Sequence, residues 1–259
     1  MSDPLPELTP AARERFDRNI RLAEVGEAGQ RRLLAASALV IGAGGLGSPA
    51  LLFLAGAGVG HLGIADSDRL EPTNLNRQVL HRAADLGRPK AESARDAILA
   101  RWPECRVDVH AERVTAAGAR ALVRGAGVVL DCSDNFSTRL AVADACWAER
   151  VPLVTGGVLR FGGQLLSVIP AESSPCYRCL VPENPTPEAA PGAAAVGILG
   201  AVAGMMGSLQ AVEAIKILLG IGETLAHHML MYDGLAGTFR TVRRTRDPAC
   251  PCCGKAGNV

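Results

Sequence analysis

The chain has 259 residues, 48% of them hydrophobic, and its 27 basic and 26 acidic side chains leave a formal net charge of +1. That composition excludes a disordered chain, and the balanced charge gives no global field that would draw the protein to nucleic acid or to an anionic membrane. The length allows one large α/β domain or a domain with an appendage.

Residues 1–12 read as a flexible leader, and 13–35 have helical periodicity with basic residues throughout. Asp3, Glu7 and several prolines replace the basic-then-apolar pattern of a signal peptide, so a cytoplasmic location is expected. Ser37 to Ile41 is a short apolar strand running into Gly42-Ala43-Gly44-Gly45-Leu46-Gly47. Ser48 is expected to cap the next helix with Pro49 at its first position. The spacing Gly42-x-Gly44-x-x-Gly47 between strand and helix predicts a tight turn whose helix N-terminus faces a phosphate, and it suits NAD and ATP equally.

His61 to Asp66 is the second strand, and Asp66 follows Gly47 by 19 positions, the place of a ribose-hydroxyl acceptor. Its alternative role is a carboxylate capping a loop. A dinucleotide site needs little more, yet Asp68, Asn74, Asn76 and Arg77 follow at once. Carboxamides and a guanidinium are groups that hold phosphate oxygens.

Residues 89–101 are read as a helix, 106–111 as a strand and 115–124 as a helix. Lys90, at the start of the first of these, is placed where an ammonium reaches a triphosphate. A strand over 127–131 ends on Asp131-Cys132-Ser133-Asp134-Asn135, before a helix to about Arg150 and a strand over 151–155. Asp134 stands just past the strand's carboxyl end, where ligands of parallel sheets bind, and a carboxylate there suits magnesium. With Asn135 it also suits a helix N-cap.

Strands alternating with helices imply a parallel sheet covered on both faces. After Thr155 the alternation stops. Stretches 159–170 and 229–242 read as antiparallel strands, separated by a Pro-rich loop (182–191) and a long apolar helix after Ala193. The expected organisation is a single domain over 13–254: a nucleotide-binding, Rossmann-like half (37–155), a sheet extension (156–254), and a short tail (255–259).

No charged residue lies between Arg32 and Asp66 or between Glu188 and Glu213, so either run could span a bilayer by length. Glycines and Pro49 break the first. The second holds Gly197, Gly200, Gly204, Gly207 and Ser208, which fits a helix buried in the protein or at a subunit interface. Arg240, Arg243, Arg244 and Arg246 read as a solvated edge strand, with a local docking patch as the alternative.

Eight cysteines in such a chain suggest metal or chemistry before disulfides. Cys176 and Cys179, and Cys250 and Cys253, are each separated by two residues, the spacing with which two thiolates grip one face of a tetrahedral zinc. A closed four-thiolate site has no open position for substrate, so its expected role is structural. A redox dithiol is the competing reading, but it would not need both pairs. Cys252 reads as a bystander, and Cys105, Cys132 and Cys146 as small buried hydrophobes.

In order along the chain stand Arg15-Phe16-Asp17-Arg18, Gly42 to Gly47, Asp66-Ser67-Asp68, Asn74-Leu75-Asn76-Arg77-Gln78, Lys90, Asp131 to Asn135, Pro175-Cys176-Tyr177-Arg178-Cys179, Gly207 to Lys216 and the second cysteine pair. In this set the chain resembles the ThiF/MoeB/HesA family, relatives of the ubiquitin-activating enzymes. The resemblance covers about residues 13–254. It implies an adenylyltransferase that uses Mg-ATP to activate the C-terminal Gly-Gly carboxylate of a small ubiquitin-like sulfur-carrier protein.

By the same resemblance Gly42, Gly44 and Gly45 line the nucleotide, Asp66 with Asp68 serves the ribose side, and Asn74, Asn76, Arg77 and Lys90 hold phosphates. Asp134, beside Asn135, holds magnesium. Arg18 matches an arginine that relatives insert from the other subunit, which implies a homodimer. Many relatives carry a cysteine in the crossover loop, whereas this chain has none from Leu180 to Ala249, so a thioester there is excluded by composition. A separate protein is then expected to donate the sulfur. An NAD(P)-dependent oxidoreductase explains the glycines and Asp66 but leaves Asn74, Arg77, Lys90 and Asp134 without a use. A relative that adenylates a tRNA base or a peptide would show the same nucleotide site.

Overall fold

The computed structural model describes residues 5–171, 173–186 and 196–254. Five parallel strands come first: β1 (Ser37–Ile41), β2 (His61–Ala65), β3 (Arg106–His110), β4 (Val128–Asp131) and β5 (Leu153–Leu159). β6 (Gly162–Val168), β7 (His228–Asp233) and β8 (Thr238–Arg243) continue them antiparallel. All eight form one sheet in the order β3-β2-β1-β4-β5-β6-β7-β8. β5 belongs to both parts: it pairs parallel with β4 at Val129–Leu153 and antiparallel with β6 from Leu153–Val168 to Leu159–Gly162. The nucleotide-binding half and the extension therefore share a strand and a core. The mixed α/β architecture expected from the sequence is the one found.

The helices are α1 (Pro10–Arg15), α2 (Asp17–Ile20), α3 (Gly26–Ala35), α4 (Gly47–Ala57), α5 (Lys90–Leu99), α6 (Ala116–Val123), α7 (Phe136–Ala148) and α8 (Gly200–Leu219). Alternate strand residues feed two cores, as the period of two in a strand requires. Val40, Ile64, Leu130 and Val154 pack with α4, α5 and α8, while Leu39, Ile41, Val129 and Leu153 pack with α6 and α7.

Several boundaries differ from expectation. The helix read over 13–35 is three helices, because Phe16 turns inward to the C-terminal end of α4 and Gly26 takes φ +56°. The leader, in its described part, is tied down: Leu8 is buried and Arg31 donates to the carbonyls of Leu5 and Pro6. Residues 1–4 and the tail 255–259 lie outside the described residues.

Ser48 does not cap α4. The helix begins at Gly47 after Leu46, and the buried Ser48 hydroxyl donates to the Ala43 carbonyl at 3.2 Å. α4 thus has no side-chain cap over its first amides. The apolar helix expected after Ala193 starts at Gly200, since Leu199 N–H donates to Arg160 and Arg160 N–H to Gly197 at the β5–β6 turn. Residues 187–195, and with them most of the crossover loop, lie outside the described residues.

α8 is long and apolar enough to cross a membrane, but half of it is buried in the fold. Its buried Gln210 donates to the carbonyl of Asp131 at 2.9 Å, and its buried Glu213 accepts from Ser167 at 3.0 Å. Such satisfied polar groups mark a core helix. α8 crosses α4 so closely that a Cβ on Gly207 would stand 2.1 Å from the Leu46 carbonyl oxygen. Gly207→Ala should therefore destabilise the protein by about 3 kcal/mol, read as a lowered urea midpoint at unchanged slope.

The basic cluster near the C-terminus divides. Arg240 and Arg243 are exposed on the edge strand β8 as expected, but Arg244 is buried and donates to the carbonyls of Ser167, Ala226, Pro175 and Cys176. It holds the first cysteine knuckle against the sheet.

Candidate nucleotide site and cysteine cluster

Strand order reverses between β1 and β4, and the loops leaving their carboxyl ends adjoin there. Such a reversal opens a crevice. Gly42, at φ +93°, begins the first loop, and a Cβ on it would stand 2.9 Å from the Cys132 carbonyl oxygen of the second. Gly47 must also be glycine, because a Cβ there would fall 1.8 Å from the Gly42 oxygen. The turn is thus tight, and α4 begins directly behind it with no side chain capping its first amides, as a helix N-terminus beside an anion site would.

Asp66 follows β2 directly. Its Oδ2 accepts from Ala43 N–H at 2.8 Å and its Oδ1 from Asp68 N–H at 2.9 Å. Burial raises its pKa above the usual carboxylate value, opposed by these two N–H groups and by Lys90. Each oxygen keeps a lone pair for a ligand hydroxyl, so the loop-capping and ribose roles are both open to it.

The loop from Asp68 to Lys90 closes on itself. Leu70 N–H donates to Arg88, Gly87 N–H to Leu70 and Lys90 N–H to Asp68. That closure sets Lys90 Nζ 2.8 Å from Asp68 Oδ2, with the lysine side chain 8% exposed and the aspartate 69%. An ion pair with one member so exposed contributes little, which leaves the ammonium ready to pass to a stronger anion. Asp68 is thereby placed as the counter-ion of Lys90.

Within the same loop Asn74 is buried, and its Oδ1 accepts from Glu71 N–H, so it closes the turn. Arg77 donates to Thr73 O at 2.8 Å and to Asn76 Oδ1 at 3.1 Å, and its stem lies against Gly45 and Gly200. Asn76 is exposed and orients that guanidinium. Gln78, not singled out as a site residue, is buried with its amide beside Gly44, and its Oε1 has no partner among the described residues. A buried amide with unused capacity at a glycine turn fits a site built for a polar ligand.

On the β4 side, Asp131 is the buried carboxylate that shapes the loop. It accepts from Ser133 N–H at 3.1 Å, Ser133 Oγ at 2.6 Å and Thr155 Oγ1 at 2.7 Å. Asn135 is the N-cap of α7, accepting from Thr138 N–H at 2.9 Å. With the cap supplied by Asn135, Asp134 is exposed and makes no hydrogen bond or ion pair among the described residues. Asp131 and Asp134, three positions apart, thus differ in place, the first buried and shaping the turn and the second exposed.

The structure brings together Gly42, Gly44, Gly45, Asp66, Asp68, Asn74, Asn76, Arg77 and Lys90, with Asp134 and Asn135 across the crevice. It does not bring Arg18 to them. Arg18 lies on α2, 86% exposed, and its neighbour Asn19 donates to the Ala57 carbonyl at the far end of α4. Eleven residues of helix put that end about 16 Å from the glycine turn.

The four cysteines of the two knuckles meet on the opposite side of the sheet extension. Their sulfurs lie within 4.8 Å of one another, with Cys176 3.5 Å from Cys250 and Cys179 3.4 Å from Cys253. Four thiolates about 2.3 Å from a tetrahedral zinc would be about 3.8 Å apart, so the cluster fits that ion. Asp247 N–H donates to Cys179 Sγ and Cys252 N–H to Cys250 Sγ, the orientation that supports thiolate charge. Cys252 stands beside the cluster, outside the four. Cys105, Cys132 and Cys146 are buried, and burial pushes all three thiols up, Cys105 to about 11, so none is a ready nucleophile.

The sequence model of the ThiF family matches residues 16–252. The SAMP-activating enzyme E1 of Haloferax volcanii is 45% identical over 244 residues, covering 94% of this chain and 90% of that protein. The sulfur carrier protein adenylyltransferase of Thermus thermophilus is 44% identical over 245 residues, covering 93% and 90%. The adenylyltransferase and sulfurtransferase MOCS3 of Drosophila willistoni is 46% identical over 241 residues, and the matched region is 53% of its length. Among solved structures, E. coli MccB with ATP superposes with a TM-score of 0.80 at 22% identity over 93% of this chain and 73% of MccB, a likeness of fold.

Proposed function

The chain belongs to the ThiF family, and from that premise we propose that it is an adenylyltransferase that activates the C-terminal carboxylate of a ubiquitin-like sulfur-carrier protein with ATP. The observation that carries the reading is the crevice between β1 and β4, where a glycine turn, a ribose-facing acid, two cations and an exposed acid converge with no cysteine other than the buried Cys132 beside them. A carboxylate needs no protein nucleophile for this reaction. One of its oxygens attacks the α-phosphorus of ATP, the bond from that phosphorus to the β-phosphate bridging oxygen breaks, and acyl-adenylate and pyrophosphate result.

The protein's task is then positioning and charge neutralisation. Asp66 accepts from the ribose, the α4 amides and Arg77 hold phosphates, and Lys90 exchanges Asp68 for the triphosphate. Asp134 would hold magnesium, which neutralises phosphate charge. Incubation with ATP and a carrier ending in Gly-Gly should give a carrier–AMP adduct by mass spectrometry. A carrier lacking its last glycine should give none, and adduct formation regardless of the carrier's terminus would refute the assignment.

The same reading includes a homodimer, supported by the distance of Arg18 from its own crevice. If Arg18 serves the partner's site, Arg18→Ala and Lys90→Ala variants should each be inactive alone. Mixed under conditions that allow subunit exchange, they should recover about a quarter of wild-type activity, since about half of the dimers are then mixed and each holds one intact site by the symmetry of a two-fold assembly. No recovery, with mixed dimers demonstrated, would place Arg18 at its own subunit's site, and full activity of Arg18→Ala alone would place it outside the chemistry.

A further inference from the structure

The glycine turn has glycines on both sides of Ala43, so its backbone has little stiffness of its own and must be held from outside. Its amide is held by Asp66 at 2.8 Å. Its carbonyl is held chiefly by His81, whose Nε2 lies 2.9 Å from it. The other ring nitrogen, Nδ1, lies 2.8 Å from the hydroxyl of Ser93 on α5, and the imidazole is 7% exposed.

A carbonyl only accepts, so Nε2 carries a proton. In the neutral ring Nδ1 is then bare and accepts a hydrogen bond from the Ser93 hydroxyl. Burial, with Lys90 assisting, pushes the ring's pKa below the ordinary histidine value against the Ala43 bond, Asp66 and Asp85, so the neutral ring is the form that makes both bonds. Ser93 is three residues beyond Lys90, on the same side of one rigid helix.

We propose that His81 is a positioning residue for the nucleotide: it fixes the spacing between the phosphate-facing turn at Ala43 and the Lys90 helix by bridging Ala43 and Ser93. The inference rests on the crevice being the ATP site. Through Ala43 the ring also steadies Asp66, so one side chain links the turn, the ribose acid and the cation. A histidine that merely filled the core would affect stability and leave the apparent affinity for ATP alone.

Glutamine places an amide nitrogen near the position of Nε2, and asparagine places its oxygen near Nδ1. His81→Gln therefore keeps the Ala43 bond, His81→Asn keeps only the Ser93 bond, and Ser93→Ala removes the anchor without touching the ring. In ATP–pyrophosphate exchange, His81→Asn should raise KM for ATP about tenfold while KM for the carrier stays within twofold. His81→Gln should recover most of that loss, and Ser93→Ala should raise KM for ATP by a smaller factor in the same direction. An unchanged KM for ATP in His81→Asn, or in Ser93→Ala should the asparagine variant not fold, would overturn the proposal. Equal increases in both KM values would do the same. The wild-type enzyme separates this from the parent reading: if it shows no exchange, the ATP site itself is at fault, whereas exchange with no ATP-specific effect condemns only His81.

Discussion

Replacing Lys90 with alanine is expected to lower the rate of carrier-dependent exchange by about a hundred- to a thousandfold, with a melting temperature close to wild type. Removing one preorganised charge or donor aimed at developing charge costs about that factor when water is excluded. Lys90 meets the condition, since its side chain is 8% exposed and its hydrogen-bonding partner at 2.8 Å is a carboxylate that is itself 69% exposed. Stability should change little because the abandoned Asp68 can hydrate where it stands. Arg77→Ala should act in the same sense, its guanidinium being held by Thr73 and Asn76 at the rim of the same turn. Exchange within threefold of wild type in a folded Lys90→Ala protein would remove the lysine from the chemistry.

Cys176→Ser should have the opposite signature: loss of zinc and a melting temperature lower by on the order of 10 °C, with exchange kept wherever the protein remains folded. Cys176 and Cys250 are buried in the core shared with α7 and β6, although 74 positions separate them. A metal joining them fastens the chain after β8 to the body, and its binding free energy is folding free energy. Losing a structural metal is among the few single changes that cost about 4 kcal/mol or more, and for a chain of this length that corresponds to about the shift named. Hydrogen bonding with Cys252 and burial drive the Cys176 thiol upward, and burial does so for Cys179, which four packed thiols without a cation would have to tolerate. Zinc by elemental analysis and melting by calorimetry check this. Selective loss of exchange with zinc retained would contradict a structural role.

The parallel half was legible because each strand ends in its own chemistry: Gly42 after β1, Asp66 after β2, Asp134 after β4. Motif spacing also foresaw the meeting of the two cysteine pairs, which no periodicity could show. Other features depend on contacts that sequence distance hides. Ser48 has the composition of a cap, yet the tight turn draws its hydroxyl to Ala43. α8 begins at Gly200 because the preceding residues pair with Arg160, 38 positions earlier. Asp131 and Asp134 are both carboxylates of one short segment, and only burial separates the one that shapes the loop from the one that faces solvent. His81 carries no spacing signal at all, and its importance lies in the two partners it joins.

The reaction proposed for the crevice between β1 and β4 is cleavage of ATP at the α-phosphate on behalf of a protein carboxylate. The most direct test is ATP–pyrophosphate exchange with the small Gly-Gly proteins of the same organism, assayed with and without each carrier. Labelled pyrophosphate is expected to enter ATP only in the presence of one of those carriers with its terminal glycine intact. No exchange with any of them, accompanied by turnover of NADH, would contradict it.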